Sequence, residues 1–221
     1  MIDSFWKPLS QAEDPDRDFS SPASLSAHDT LTLTVQHDLE SRYGELMGRR
    51  QLSSCLLGAF EDSELVGMVG VDVTLVEEGQ SILYTREVAE TKLKNAIASL
   101  GPKQRREYKD ASVMDIVQAL LPNCKAVVVL SNLAVGMNHR RKGVGKLLCQ
   151  EVERLADQEW DMNELYLRVE SQNDAARKLY ESVLGYREAW TEAEAVALRG
   201  NWDTGNFEER NCETLSLVKS L

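Results

Sequence analysis

The chain has 221 residues, 43% of them hydrophobic and 28% charged, and 36 acidic against 25 basic side chains leave a net charge of −11. That is the mixture of an ordinary globular protein with one core, and its negative balance argues against general nucleic-acid binding because polyphosphate would be repelled. No apolar run approaches the ~20 residues of a membrane-spanning helix, so a soluble intracellular protein without membrane partners is expected.

In chain order, residues 1–27 mix Pro, Ser and Asp with little periodicity and read as an irregular N-terminal arm with room for one short edge strand. From Thr30 the apolar positions Leu31, Leu33 and Val35 are ambiguous. Leu39, Tyr43, Leu46 and Met47 then settle into helical spacing, which predicts a helix near 34–48. "SSCLLGAF" and "ELVGMVGVDVTLV" flank "EDS" and read as a β-hairpin. Residues 77–124 form a helical insertion of two helices. One carries Ala89, Leu93, Ile97 and Leu100 on one face and stops at Gly101-Pro102; the other opens with a capping box from Ser112 to Asp115 and ends at Pro122. The basic stretch "PKQRREYKD" between them reads as a solvated loop in preference to a docking surface.

Next come a strand, "KAVVVLSNLAV"; a basic glycine loop; a helix from Val144 to about Trp160; a strand, "ELYLRV"; a helix, "DAARKLYESVL", stopped by Gly185; and a closing β pair within 186–221. Strand-helix-strand-helix after a meander is an α/β arrangement, expected as one domain over 1–221. Cys55, Cys124, Cys149 and Cys212 are widely spaced with no C-x-x-C pair or histidine cluster, which suits free thiols in a reducing compartment and gives no metal site. The acidic N-terminal residues do not look like a signal or transit peptide, although a presequence already removed is compatible with them.

The loop "HRRKGVGKLLC" carries the chemistry. A P-loop needs G-x-x-x-x-G-K-[ST], but Arg140 stands at its first glycine and Leu147 at its hydroxyl. A dinucleotide fingerprint fits Gly143 and Gly145 and then meets Leu148. What remains is [QR]-x-x-G-x-[GA], met by Arg140-Arg141-Lys142-Gly143-Val144-Gly145, the pattern of an acetyl-coenzyme A loop. The following helix has unpaired N–H groups and a positive dipole end at its start, and glycines let phosphate oxygens approach the backbone. A tight strand-to-helix turn with solvated charges is the plain alternative. Further on, Asn173 starts a helix and Tyr180 lies two turns later on nearly the same side; an N-cap and a core aromatic explain them as well as a site does.

Together, "VVVLSNLAV…RRKGVGKLL" and "LYLRVESQNDAARKLYESVLGY" resemble the two core motifs of the GNAT superfamily of acyl-CoA-dependent N-acetyltransferases, over about residues 125–187. The resemblance implies a GNAT fold: a mixed central β-sheet flanked by helices, here with a helical insertion before the coenzyme-binding strand. It implies that acetyl-CoA is the co-substrate, with Leu133, Ala134 and Val135 pairing with the pantetheine arm as a strand would. Arg140, Arg141, Lys142, Gly143, Val144, Gly145 and Lys146 would hold the pyrophosphate, and Asn173, Asp174, Ala175 and Ala176 would line the coenzyme. Tyr180 would be the acid that protonates the departing thiolate, and no metal is required. Glu170 is the candidate base, with an exposed strand-end glutamate as the commoner explanation; His139 reads as a solvated loop residue. The wording looks closest to plastid-type protein acetyltransferases, which implies a protein or peptide amine as acceptor and a cytoplasmic or plastid-stroma setting. Relatives that acetylate ribosomal-protein N-termini carry Glu two residues before Arg on the second strand, whereas here Arg168 precedes Glu170. The acceptor is expected to enter by the hairpin "RGNWDTGNFEERN", with Asp203, Glu208 and Glu209 attracting a cation and Trp202 and Phe207 as apolar walls.

Overall fold

The computed structural model describes residues 15–43 and 52–221. Its first element, helix α1, runs Pro22–Tyr43. The Ser21 hydroxyl accepts from the Ser24 N–H (3.2 Å), and Pro22 takes the first helical position, where no N–H is needed. Of the arm's described residues only 15–21 are irregular, and the helix starts about twelve residues before the expected 34. Its buried stripe, Ser24, Ala27, Leu31 and Val35, has helical spacing and leaves Leu33 exposed. The strand-like alternation "TLTLTV" is absorbed because Thr30, Thr32 and Thr34 turn their hydroxyls back to carbonyls four residues earlier. Residues 15–27 hold no part of the edge strand expected within 1–27, and residues 1–14 and the expected helix end at 48 fall outside the described residues.

Strands β1 (Ser54–Glu61) and β2 (Glu64–Glu77) form the expected hairpin. Its turn puts Asp62 and Ser63 at positive φ (48° and 70°), the primed geometry that matches strand twist. A two-residue strand β3 (Ile82–Leu83) pairs back on β2. The insertion then holds three helices: α2 (Arg86–Ala98), α3 (Pro102–Glu107) and α4 (Val113–Leu120). The basic stretch read as a loop is thus largely helical. Pro102 opens it, and the Gln104 side chain accepts from the Gly101 N–H at 3.2 Å, so local capping outweighs the clustered charge. Ser112 caps α4 by accepting from the Asp115 N–H at 3.1 Å, as its spacing predicts.

The second half follows the expected order: β4 (Lys125–Val135), α5 (Val144–Gln158), β5 (Glu164–Glu170), α6 (Asp174–Arg177) continuing as a π-helical turn over Lys178–Val183, β6 (Arg187–Asn201) and β7 (Asn206–Ser220). The sheet order is β1-β2-β4-β5-β7-β6; β4 and β5 are parallel and the other pairs antiparallel. One face packs α5 through Leu148, Cys149, Val152, Leu155 and Ala156 against Val69, Val71, Val128, Leu165 and Leu217. On the other face α1 is fastened to the β6–β7 hairpin by Leu31, Val35 and Trp202, with Phe19 and Phe207 beside them. Among the described residues no helix is long and apolar enough to cross a membrane.

Candidate active site

The site begins with a break in the sheet. Parallel pairing joins Val128–Leu130 to Leu165–Leu167, yet β4 runs on to Val135 and β5 to Glu170. Each keeps its other neighbour over that length: Gly67 and Met68 stay paired with Val135 and Ala134, and Arg168 to Glu170 stay paired with β7. The two strands therefore part like the arms of a V. Asn132, at φ 54°, marks an irregularity where β4 bends away. On the gap side, the backbone from Ser131 to Val135 has lost its sheet partner, so an extended, amide-bearing chain can take the place of a strand.

At the end of that arm stands the glycine loop. Arg141 (φ 63°) and Gly143 (φ 92°) both adopt the left-handed region, and Gly143 is the N-cap of α5 with no side-chain cap on the helix. The first N–H groups of a 15-residue helix thus stay available for an anion. Arg140, Arg141, Lys142 and Lys146 are exposed around it, and the Arg140 Nε donates to the Val135 carbonyl (3.2 Å), tying loop to strand. A Cβ on Gly145 would lie 3.5–3.9 Å from Leu179, Val135 and Leu133, so the strand end, the loop and the last helix converge there. Open backbone on β4, an uncapped helix start and clustered cations fit a coenzyme with a diamide arm and a pyrophosphate. A separate surface groove of about 550 Å³ lies between β1 and the start of α5, on the far side of β2 from the gap.

Leu179, from the third segment expected along the coenzyme, reaches Gly145, and the other residues of that segment have local duties of their own. The Asn173 side chain accepts from the Ala176 N–H at 3.2 Å, so it caps α6. Asp174 and Ala175 are exposed and Ala176 is half-buried. Tyr180 sits in the π turn, where the Leu184 N–H reaches five residues back to the Leu179 carbonyl. Its ring is buried edge-on to Tyr186 (centroids 5.9 Å apart), and burial, with Cys149 nearby, pushes the phenol far above its usual range. Such a group stays protonated and has a proton to give.

Glu170 is half-buried, and both its oxygens accept from the guanidinium of the buried Arg199 (2.9 and 2.6 Å). A proton taken there would displace one of those bonds. His139 pairs with Glu61 (3.0 Å) on the β1 side of the loop. In the hairpin, Asp203 is held by Arg17 (3.0 and 3.1 Å), while Asn201 donates to Glu208. Trp202, expected as a wall of the acceptor site, is 3% exposed and forms the small core under α1, because an indole at the hairpin tip buries more area against Leu31 and Phe19 than it could in an open cleft. Phe207 packs beside that same core and does not line an open wall.

The sequence reading missed a polar cluster beside the break. Asp72 is 9% exposed, and its Oδ2 accepts from the Tyr43 hydroxyl (3.1 Å), which is also 3.1 Å from the Ser131 hydroxyl. Arg86 Nη1 lies 3.9 Å from Asp72 Oδ1 and donates to Ser54 (2.8 Å) and the Arg42 carbonyl (2.9 Å). A Cβ on Gly70 would meet the Tyr43 oxygen at 2.2 Å, so only glycine lets the phenol reach across β2. The signal was legible: one acid inside the apolar run "LVGMVGVDVTLV".

Residues 17–186, well over half the chain, match the acetyltransferase (GNAT) family. The chain belongs to the GNAT acetyltransferase family. Its members are acyl-CoA-dependent N-acetyltransferases that use acetyl-CoA as co-substrate. No curated protein matches the sequence. Solved structures similar to this GNAT chain include Arabidopsis thaliana NAA60 in complex with a bisubstrate analogue, with 18% identity, 71% of this chain and 65% of that chain covered, and a TM-score of 0.42. The match thus spans just under two thirds of the NAA60 chain. A GNAT-family acetyltransferase from Streptococcus pneumoniae shows 14% identity over 76% of this chain and 67% of that one (TM-score 0.45). The ribosomal-protein-S18-alanine N-acetyltransferase of Escherichia coli shows 16% identity over 85% and 86% (TM-score 0.43).

Proposed function

We propose that this protein transfers the acetyl group of acetyl-CoA to a primary amine by direct attack, and that the acceptor is a protein N-terminal α-amine or a lysine. The observation that carries the reading is the parting of β4 from β5 beyond Leu130 and Leu167, next to the uncapped, cation-ringed start of α5. Acetyl-CoA supplies the thioester. The chain's part is to hold and orient: backbone of Leu133–Val135 for the arm, Arg140–Lys146 for the pyrophosphate, and Asn173–Ala176 along the coenzyme. Tyr180, kept protonated by burial, donates to the leaving sulfur. Glu170, the expected base, enters this proposal as the carboxylate that Arg199 fixes at the far arm of the gap.

A protein acceptor is supported by the net charge of −11, which steers cationic peptides. The chain works in this reading as one unit, since a single sheet collects strands from Ser54 to Ser220. The motif likeness to plastid-type enzymes extends the proposal to the stroma or the cytoplasm. Thiol release from acetyl-CoA over a mixed panel of peptides and polyamines tests it. Transfer to peptides is expected; transfer to polyamines alone would replace the acceptor by a small amine, and coenzyme binding without transfer to any amine would make the protein a binding module.

A further inference from the structure

With both Glu170 oxygens engaged by Arg199, the proton of the attacking ammonium has no assigned acceptor on β5. A second carboxylate stands across the gap. Gly70 and Ser131 are directly paired across β2 and β4, and Asp72 lies two residues further along β2 on the same face, opposite Val129. Ser131 is the first β4 residue beyond the last pair with β5, so it stands at the start of the opening. Tyr43, from the end of α1, bridges from Ser131 back to Asp72, and both hydroxyl residues are half-buried while Asp72 is nearly enclosed. Among the described residues the other Asp72 oxygen, Oδ1, has no hydrogen-bond partner, an uncommon state for a buried carboxylate.

We propose that Asp72 is the terminal proton acceptor for the amine, reached from the gap through the hydroxyls of Ser131 and Tyr43, an inference that rests on the amine-acetylation reading above. The balance is simple. The ammonium gives one proton to the relay as Tyr43 passes its own to Asp72 Oδ2, and Asp72 later returns that proton to solvent. The neutral nitrogen forms the N–C bond as the C–S bond breaks, sulfur leaves with the Tyr180 proton, and the second proton lost by nitrogen returns to the Tyr180 oxygen through solvent.

The surroundings suit the role. Burial raises the Asp72 carboxyl; Tyr43, Arg86 and Arg42 pull it back down and Glu87 adds to the rise. Ser54 lies opposite it on β1, and the Cys55 thiol is pushed up to about 11 by burial and by Asp72 itself. Tyr43 is pushed up to about 12, by burial first and Asp72 second, so it remains a neutral hydroxyl that can pass a proton without becoming an anion.

The test is thiol release against pH for wild type, Asp72→Asn and Tyr43→Phe, with the acceptor wild type uses best. Asp72 must be ionised to accept, so wild-type kcat/KM should fall towards acid through a limb above the ordinary Asp range. Asp72→Asn should lose that limb and about 10²-fold or more in kcat/KM, and Tyr43→Phe, which cuts the bridge, a comparable amount. Acetyl-CoA affinity by calorimetry should stay unchanged. A raised carboxyl favours folding while protonated, and that contribution is lost as pH rises through the raised value, so Asp72→Asn should melt no lower than wild type at neutral pH. A wild-type acid limb retained in Asp72→Asn, or a wild-type rate in Tyr43→Phe, overturns the relay while leaving amine acetylation standing. A wild-type protein that acetylates no amine overturns both.

Discussion

The two sides of the gap are built in different ways. On the coenzyme side, the sets proposed to hold acetyl-CoA, Leu133–Val135, Arg140–Lys146 and Asn173–Ala176, would act mainly through backbone groups, and each set is contiguous in sequence. On the proposed acceptor side, the groups are side chains far apart in the chain: Tyr43 with Asp72, 29 residues on, and with Ser131, 88 residues on, and Arg199 with Glu170. The first design should depend on conformation at a few glycines and tolerate side-chain change. The second should depend on particular functional groups and leave coenzyme binding alone when they are altered.

The largest effect is expected at Gly143. A Cβ there meets no atom within 4 Å, but φ 92° is a conformation that a β-branched residue does not adopt, so Gly143→Val has to move the N–H groups that face the pyrophosphate. Acetyl-CoA binding by calorimetry should be lost, with the melting curve still cooperative. Next is Tyr180→Phe, which should lower kcat by about 10²–10⁴-fold with little change in coenzyme affinity. An unchanged turnover number would reduce Tyr180 to its packing against Tyr186.

On the acceptor side, Trp202→Ala empties the core that fastens α1 to the hairpin and should cost about 3–5 kcal/mol in chemical denaturation. Because α1 carries Tyr43, the folded fraction should also show a raised acceptor KM; an unaltered KM would uncouple the hairpin from the site. The smallest effect is reserved for Glu208 and Glu209, both exposed. Reversing their charges together should raise the peptide KM a few-fold at low salt, fading as ionic strength screens charges over about 8–10 Å.

The same contrast governs what could be read beforehand. The loop and helix start proposed for the coenzyme can be named from sequence because they lie within short windows, and the side chains of Leu133, Val135 and Leu179 meet beside Gly145. Two helix starts carry adequate local signals that are still ambiguous: Ser21-Pro22 reads as irregular chain because Ser and Pro also mark loops, and Pro102 as the start of a solvated loop because of the basic residues after it. Trp202 could not be placed from its neighbours, since what buries it is Leu31 and Phe19 from the other end of the chain. Asp72 stood out in its strand, but nothing in the strand names Tyr43 as its partner. Long-range side-chain pairs are set by how helices lie on the sheet, and no local periodicity encodes that.

Coenzyme binding separates the two sides most directly. Acetyl-CoA titrated by calorimetry into the wild-type protein and, in parallel, into Asp72→Asn should bind one-to-one with equal affinity, because the side chains that meet the Asp72 carboxylate, Tyr43 and Arg86, are not among the groups proposed for the coenzyme. Absence of binding to the wild-type protein would contradict the account at its centre.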